Sequence, residues 1–363
     1  MSATKTIGVL TSGDDCAVLN AVIRAVVTRA ILGYGWRVLG IHQGTRGLLK
    51  RPVEFTALDL QIASSAMARS AGTILGTTNR GDPFAFPMPD GTLKDRSEEV
   101  IEGYRMLGLD GLIGIGGDGS MAVLRHLAQQ GDIPLVGVPK TIDNDISATE
   151  TSIGYHTAVM VATEAIDRLQ PTAASHDRVM ILEVMGRDCC GHIALAAGIA
   201  GGADVILIPE IPYDLDAVAA HIKTVRLHGR NFAVVVVAEA AQDKSGERVQ
   251  LGHGPGGTAY GGIGQVLGEA ITRRTGAEAR ITVLGHLQRG GQPTWDDRLV
   301  GSAFGVYAVD LIAQGKFDRL VAWQNRRVVD VPLAAAFEPA PAIGTGDALV
   351  STARGLGICL GDT

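Results

Sequence analysis

The chain has 363 residues, more than one ordinary core accommodates and a good length for two α/β domains. With 46% hydrophobic residues, 19% charged residues and 48 glycines, it has the profile of a folded protein rich in tight turns, not of a disordered one. A net charge of −6 argues against a general nucleic-acid binder, which needs a basic face, and the sequence contains no 18-residue apolar span for a membrane crossing.

In chain order, short β-branched runs alternate with helical patterns. Residues 7–10 predict a strand, followed by the polar turn TSGDD and an apolar-periodic stretch over 18–32. Residues 111–115 predict the next strand, ahead of GGDGS (116–120) and a helix over 121–129. A strand over 133–138 leads into PKTIDND (139–145), and one over 178–184 leads into MGRD (185–188) and an Ala-rich helix over 193–200. Further strands are predicted over 205–208, 233–237 and 281–284, and the glycine-rich 252–263 is expected to be a mobile loop. Continuous apolar runs of this length suit strands buried on both faces, and their alternation with helices suits parallel α/β layers. Ligands in such sheets bind beyond the carboxyl ends of the strands, which is where the polar motifs fall.

Four cysteines, Cys16, Cys189, Cys190 and Cys359, include no CxxC pair, so neither a zinc site nor a disulfide framework is indicated. The N-terminus lacks the apolar core of a signal peptide, and the expected address is the cytoplasm.

Each motif has a chemical reading and a plainer one. In GGDGS the glycines would let backbone N–H groups reach a phosphate, with Mg²⁺ bridging Asp118 to it; a glycine turn with Asp118 as helix cap explains the same letters. PKTIDND sets Asp143 and Asp145 two residues apart after a strand, beside Lys140 and Thr141. That suits proton acceptance from a hydroxyl during phosphoryl transfer; the alternative is an acidic turn. Arg187 of MGRD could meet developing negative charge. Arg280, His286 and Arg289 could cradle a phosphate, and Arg178 begins the strand before MGRD, although each alone would also serve as a surface ion pair or structural histidine.

Taken together, GVLTSG, LGTTNRGDPF, GGDGS, PKTIDND, SHDR, EVMGR, VLGHLQRGG and the closing Asp297–Arg298 pair resemble the phosphofructokinase family, in the family's order, over most of the chain. The resemblance implies two Rossmann-like lobes with the chain crossing between them: 1–154 plus 288–318 for the phosphoryl donor, 155–287 plus 319–363 for the sugar phosphate. It implies ATP-dependent phosphorylation of fructose 6-phosphate to fructose 1,6-bisphosphate with Mg²⁺, in a cytoplasmic homodimer or homotetramer with active sites near subunit interfaces. No nucleic-acid or membrane partner is expected.

By resemblance, Asp143 is the catalytic base, Arg187 a transition-state arginine and Thr141 a third catalytic residue. Asp118 is the metal ligand, with Asp145 nearby. Gly13, Asp14, Arg80, Gly117, Asp118, Gly119, Ser120 and Lys140 face the donor. Thr141, Asp143, Arg178, Met185, Gly186, Arg187, Glu239, Arg280, His286 and Arg289 face the sugar phosphate, Arg178 and Arg280 reaching in from a neighbouring subunit. Gly119 favours ATP, because a glycine leaves room for the α-phosphate. Lys140 is shared with pyrophosphate users, so pyrophosphate is the alternative donor.

The first loop departs from the family pattern: Asp14 stands where a donor-binding glycine belongs, and Val18 replaces another. A carboxylate there would repel phosphate by roughly 1–4 kcal/mol before metal screening. Weak donor affinity, or a low-activity regulatory paralogue, is therefore a further expectation.

Overall fold

The computed structural model describes residues 4–187, 190–254, 257–339 and 342–362. Contacts divide the chain into two compact units, Met1–His156 with Arg289–Ala340, and Thr157–Gln288 with Pro341–Thr363.

The first unit opens with β1 (Thr6–Thr11), α1 (Leu19–Tyr34), β2 (Arg37–Ile41), α2 (Thr45–Leu49) and β3 (Phe55–Leu58). A small hairpin, β4 (Phe86–Pro87) with β5 (Leu93–Lys94), precedes α3 (Ser97–Met106), β6 (Gly111–Gly116), α4 (Asp118–Gly131), β7 (Leu135–Thr141) and the short β8 (Ile153–Gly154). After α5 (Tyr155–Ser175) the second unit holds β9 (Val179–Val184), α6 (His192–Ala200), β10 (Val205–Leu207), α7 (Leu215–Leu227) and β11 (Ala233–Ala238). It continues with β12 (Gln250–Gly254), β13 (Gly257–Tyr260), α8 (Ile263–Thr275) and β14 (Ala279–Val283). The chain then returns to the first unit through α9 (Trp295–Ala313), β15 (Arg319–Gln324) and β16 (Arg327–Pro332), and α10 (Ala348–Gly355) closes the second.

The sheet of the first unit runs β16-β15-β7-β6-β1-β2-β3, with β8 beside β7; its interior pairs are parallel, and β3 and β16 are antiparallel edges. Strands β1 and β6 are adjacent, and the chain winds outward from them in opposite directions. Their carboxyl ends therefore flank a topological switch point, where an open α/β sheet leaves a crevice. The second sheet, β10-β11-β9-β14, is wholly parallel, with β9 between β11 and β14. Strands β1, β6, β7, β9, β10 and β11 are buried in the cores their helices help to form, as inner parallel strands require, whereas β3, β14 and β16 are more exposed.

Two expectations are corrected. Residues 319–339 do not join the second lobe but the first unit: β15 pairs in parallel with β7, so the strand pair extends the first sheet. Its connection is a two-residue turn with positive φ at Asn325 and Arg326, the backbone that matches the right-handed twist of paired strands. The glycine-rich 252–263 is not simply a loop either, since β12 and β13 pair as an antiparallel hairpin.

Candidate active site

At the switch point of the first unit, Ser12 N donates to Ile115 O at 2.9 Å, drawing the first loop against the end of β6. Gly13 follows with φ +82°. A Cβ there would lie 2.6 Å from Ser120 Oγ, so both conformation and space require glycine. Thr77 Oγ1 donates to Gly13 O at 2.6 Å, and Gly13 N donates to Thr78 O at 2.9 Å, tying the loop to residues 77–78.

In GGDGS, Gly117 is the N-cap of α4 and Asp118 the first helical residue, exposed at its mouth. The cap position thus falls to a glycine without a side chain, and Asp118 is not the capping residue of the plainer reading. Gly119 is exposed, and a Cβ added to it meets nothing within 4 Å.

Lys140, at the end of β7, is only 4% exposed, and its Nζ donates to the Asp14 carbonyl. Burial pushes its ammonium below the ordinary lysine range; the nearby Arg289 charge adds to this, while Asp14 and Asp15 oppose it. The Cys16 thiol behind the loop is fully buried and pushed up to about 12 by that burial.

Asp143 is buried at 7% exposure, and its N–H donates to Thr141 Oγ1 at 3.1 Å. Between the two aspartates, Asn144 takes φ +54°, a left-handed conformation that asparagine tolerates well. Its Oδ1 accepts from Ser152 N at 2.9 Å, and Ser152 Oγ donates to Thr141 O at 2.8 Å, so the turn is fixed from behind. Asp297 of the closing motif is fully buried and accepts from Gly154 N at 3.0 Å, which gives that residue a structural place.

Asp14 meets residues that the sequence did not connect with it. Asn79 Nδ2 donates to its Oδ1 at 2.7 Å. Arg289 Nη2 donates to its Oδ2 at 3.0 Å, and Arg289 Nη1 to Asp15 O at 3.1 Å. The carboxylate expected to stand uncompensated in the loop is thus ion-paired, and Arg289, expected with the sugar phosphate, packs against that loop. Arg80 is exposed on the same segment as Asn79. Beside the loop lies a cavity of about 370 Å³ lined by His42, Gln43, Arg46, Lys50, Leu75 and Gly76. Its wall joins the end of β1, where Thr11 Oγ1 donates to Gly76 O at 2.8 Å.

In the second unit Met185, Gly186, Arg187, Glu239 and His286 again follow the strands. Glu239 N donates to Val184 O at 2.9 Å and Leu284 N to Glu183 O at 3.0 Å, aligning the ends of β11 and β14 with β9. Gln288, buried at 1% exposure, accepts from Met185 N at 2.7 Å through Oε1 and so holds the loop carrying Met185, Gly186 and Arg187. Gly186 has no space for a side chain, because a Cβ would lie 2.5 Å from Cys190 O. Arg187 and His286 are exposed, and Asp188 falls outside the described residues. Arg178 and Arg280 sit at the amino ends of the neighbouring strands, one at the edge of β9 and one in β14, and Glu278 joins them: Arg178 Nε donates to it at 2.7 Å, and Arg280 pairs with its other oxygen. The Arg178 hydrogen bond, with the charges of both arginines, holds the Glu278 carboxyl below the usual range. Asn79, Glu278 and Gln288 are contacts that the sequence reading missed, since none stands out by residue type or spacing.

The fold, two parallel α/β units with polar loops at the strand ends, defines a class of proteins that bind ligands at those ends. Comparison with known proteins narrows it. The Phosphofructokinase family model matches residues 6–312. A protein of Synechocystis sp. named ATP-dependent 6-phosphofructokinase 1 is 59% identical, with all of both chains aligned. One of Nostoc sp. with the same name is 60% identical over the same full extent. The structure of phosphofructokinase from Saccharomyces cerevisiae superposes with a TM-score of 0.76 at 29% identity, covering 92% of this chain. This chain spans 45% of that yeast chain's length. The chain belongs to the phosphofructokinase family, and its two α/β units are that family's fold.

Proposed function

We propose that this protein is an ATP-dependent 6-phosphofructokinase that converts fructose 6-phosphate to fructose 1,6-bisphosphate in glycolysis. The carrying observation is the buried Asp143 fixed beside Thr141 at the end of β7, next to the GGDGS loop at the end of β6. In this reading Asp143 takes the proton of the sugar C1 hydroxyl as its oxygen bonds to the γ-phosphorus; the bond from that phosphorus to the β,γ-bridging oxygen breaks, and ADP leaves. Gly13, Gly117 and Ser120 form the phosphate cradle, and Arg187 meets the charge that develops on the transferred group. Asp118, exposed at the start of α4, fits a Mg²⁺ held by one carboxylate, water and phosphate oxygens, a mode that needs no acidic cluster. Bound there with the nucleotide, Mg²⁺ would neutralise phosphate charge. Among the described residues no group of three metal-ligating side chains forms a site of its own.

One observation of the structure favours ATP over pyrophosphate: the space around Gly119 is open. The names of the full-length relatives support the same donor. Met185, Gly186, Glu239, Arg178, Arg280 and His286 are assigned to fructose 6-phosphate, with Arg178 and Arg280 serving a neighbouring subunit of a cytoplasmic homo-oligomer. No helix among the described residues is long and apolar enough to cross a membrane.

The test supplies the purified protein with fructose 6-phosphate and Mg²⁺ and either ATP or pyrophosphate, and follows fructose 1,6-bisphosphate. Turnover with ATP alone is expected. Turnover with pyrophosphate alone would replace the donor assignment, and no turnover with either would leave the regulatory-paralogue reading in its place.

A further inference from the structure

Asp14 and Arg289 lie 275 positions apart in sequence and meet in the first loop. The arginine side chain is 13% exposed and the aspartate side chain 38%. A guanidinium so nearly buried needs a counter-charge, and a carboxylate beside a phosphate cradle needs one as much. Around the loop the charges of Asp14 and Asp15 are matched by Lys140, whose Nζ reaches the Asp14 carbonyl, and by Arg289, which spans Asp14 and Asp15. Among these four groups, removing Arg289 would leave a net negative charge, and removing the Asp14 charge would leave a net positive one.

We infer that Asp14 and Arg289 are an opposed pair of affinity-setting residues: the carboxylate weakens binding of the phosphoryl donor, and the arginine offsets it. The inference rests on the proposed assignment of this loop to the donor. It separates two roles that geometry alone leaves together. If the pair only tethered the loop, losing either member would loosen the cradle and weaken the donor. If the pair balances charge, the two losses act in opposite directions.

The experiment is calorimetric titration with the Mg²⁺ complex of a non-hydrolysable ATP analogue. Asp14→Asn keeps the shape of the side chain and is expected to bind the analogue about 5-fold more tightly than wild type, while Arg289→Gln binds it about 5-fold more weakly. The double variant should return to within about 3-fold of wild type, and the gain in Asp14→Asn should shrink as salt is raised. Asp14→Gly, which also removes the Cβ, should shift affinity in the same direction as Asp14→Asn. Thermal unfolding of each variant separates loss of fold from loss of charge. Weaker or unchanged binding in both Asp14 variants, with the fold intact, overturns the inference and leaves the donor assignment standing. Failure of wild type to bind the analogue overturns the assignment, and the inference with it.

Discussion

The two units hold their charged loop residues in contrasting ways. In the first, Lys140 is buried, Arg289 nearly so, and both are engaged by the turn at Asp14 and Asp15. In the second, a partly buried Arg178 and an exposed Arg280 meet around one half-exposed carboxylate, Glu278. Groups locked by several partners are preorganised and lose little freedom when a ligand arrives. A pair of arginines held by one solvated carboxylate is bound loosely, because exposed ion pairs contribute little. The first unit is thus built for geometry and the second for capture, which predicts that substitutions there fall on different kinetic parameters.

The largest effect tests the first half of that contrast. Asp143→Asn should lower kcat by about 10³-fold while fructose 6-phosphate still binds, as expected for loss of a general base. Steady-state kinetics with parallel calorimetry would measure it, and a change confined to KM would break the contrast. Next comes the second unit. Arg178→Ala or Arg280→Ala should raise KM for fructose 6-phosphate by about 30-fold through loss of a charged hydrogen bond, with KM for ATP nearly unchanged. A fall in kcat alone would place these arginines with the chemistry instead. The smallest effect sharpens the donor assignment. Gly119→Asp should weaken ATP binding by about 10-fold through charge and bulk near the phosphates. Its melting temperature should stay at the wild-type value, because the added Cβ enters open space.

Much of the fold was legible in the sequence because parallel strands buried on both faces must be continuous apolar runs. Strands β1, β6, β9 and β11 coincide with such runs to within a residue or two. Strand β16 escaped because it is an edge strand of intermediate burial, RVVDVP, with no continuous apolar signal, whereas β15 does carry the run Leu320–Trp323 and was passed over. The motif loops were legible for a different reason: glycine and aspartate after a strand mark places where backbone meets ligand. Their tertiary partners were not legible. Nothing local links Asp14 to Asn79 or to Arg289, and the repulsion expected at Asp14 leaves out its counter-ion. Glu278 could have drawn notice only as an acidic residue two positions before Arg280, a spacing that places both on one side of an extended chain.

The return of the chain from the second unit to the first has a consequence for synthesis. The first sheet lacks β15 and β16 until residues 319–332 have left the ribosome, and until then the apolar strand β7 stands as an open edge apart from its short contact with β8. The second sheet waits longer still, because Cys359 bridges to Val205 and its carbonyl accepts from Ile206 N at 2.9 Å. Unpaired edges of this kind are templates for wrong pairing. Neither unit can therefore mature as a finished piece while the other is being made, and no single cut in the gene yields two self-sufficient halves. The nascent protein carries the first open edge until residue 332 and the second until residue 359 has been made, which sets the interval over which chaperones would have to guard it.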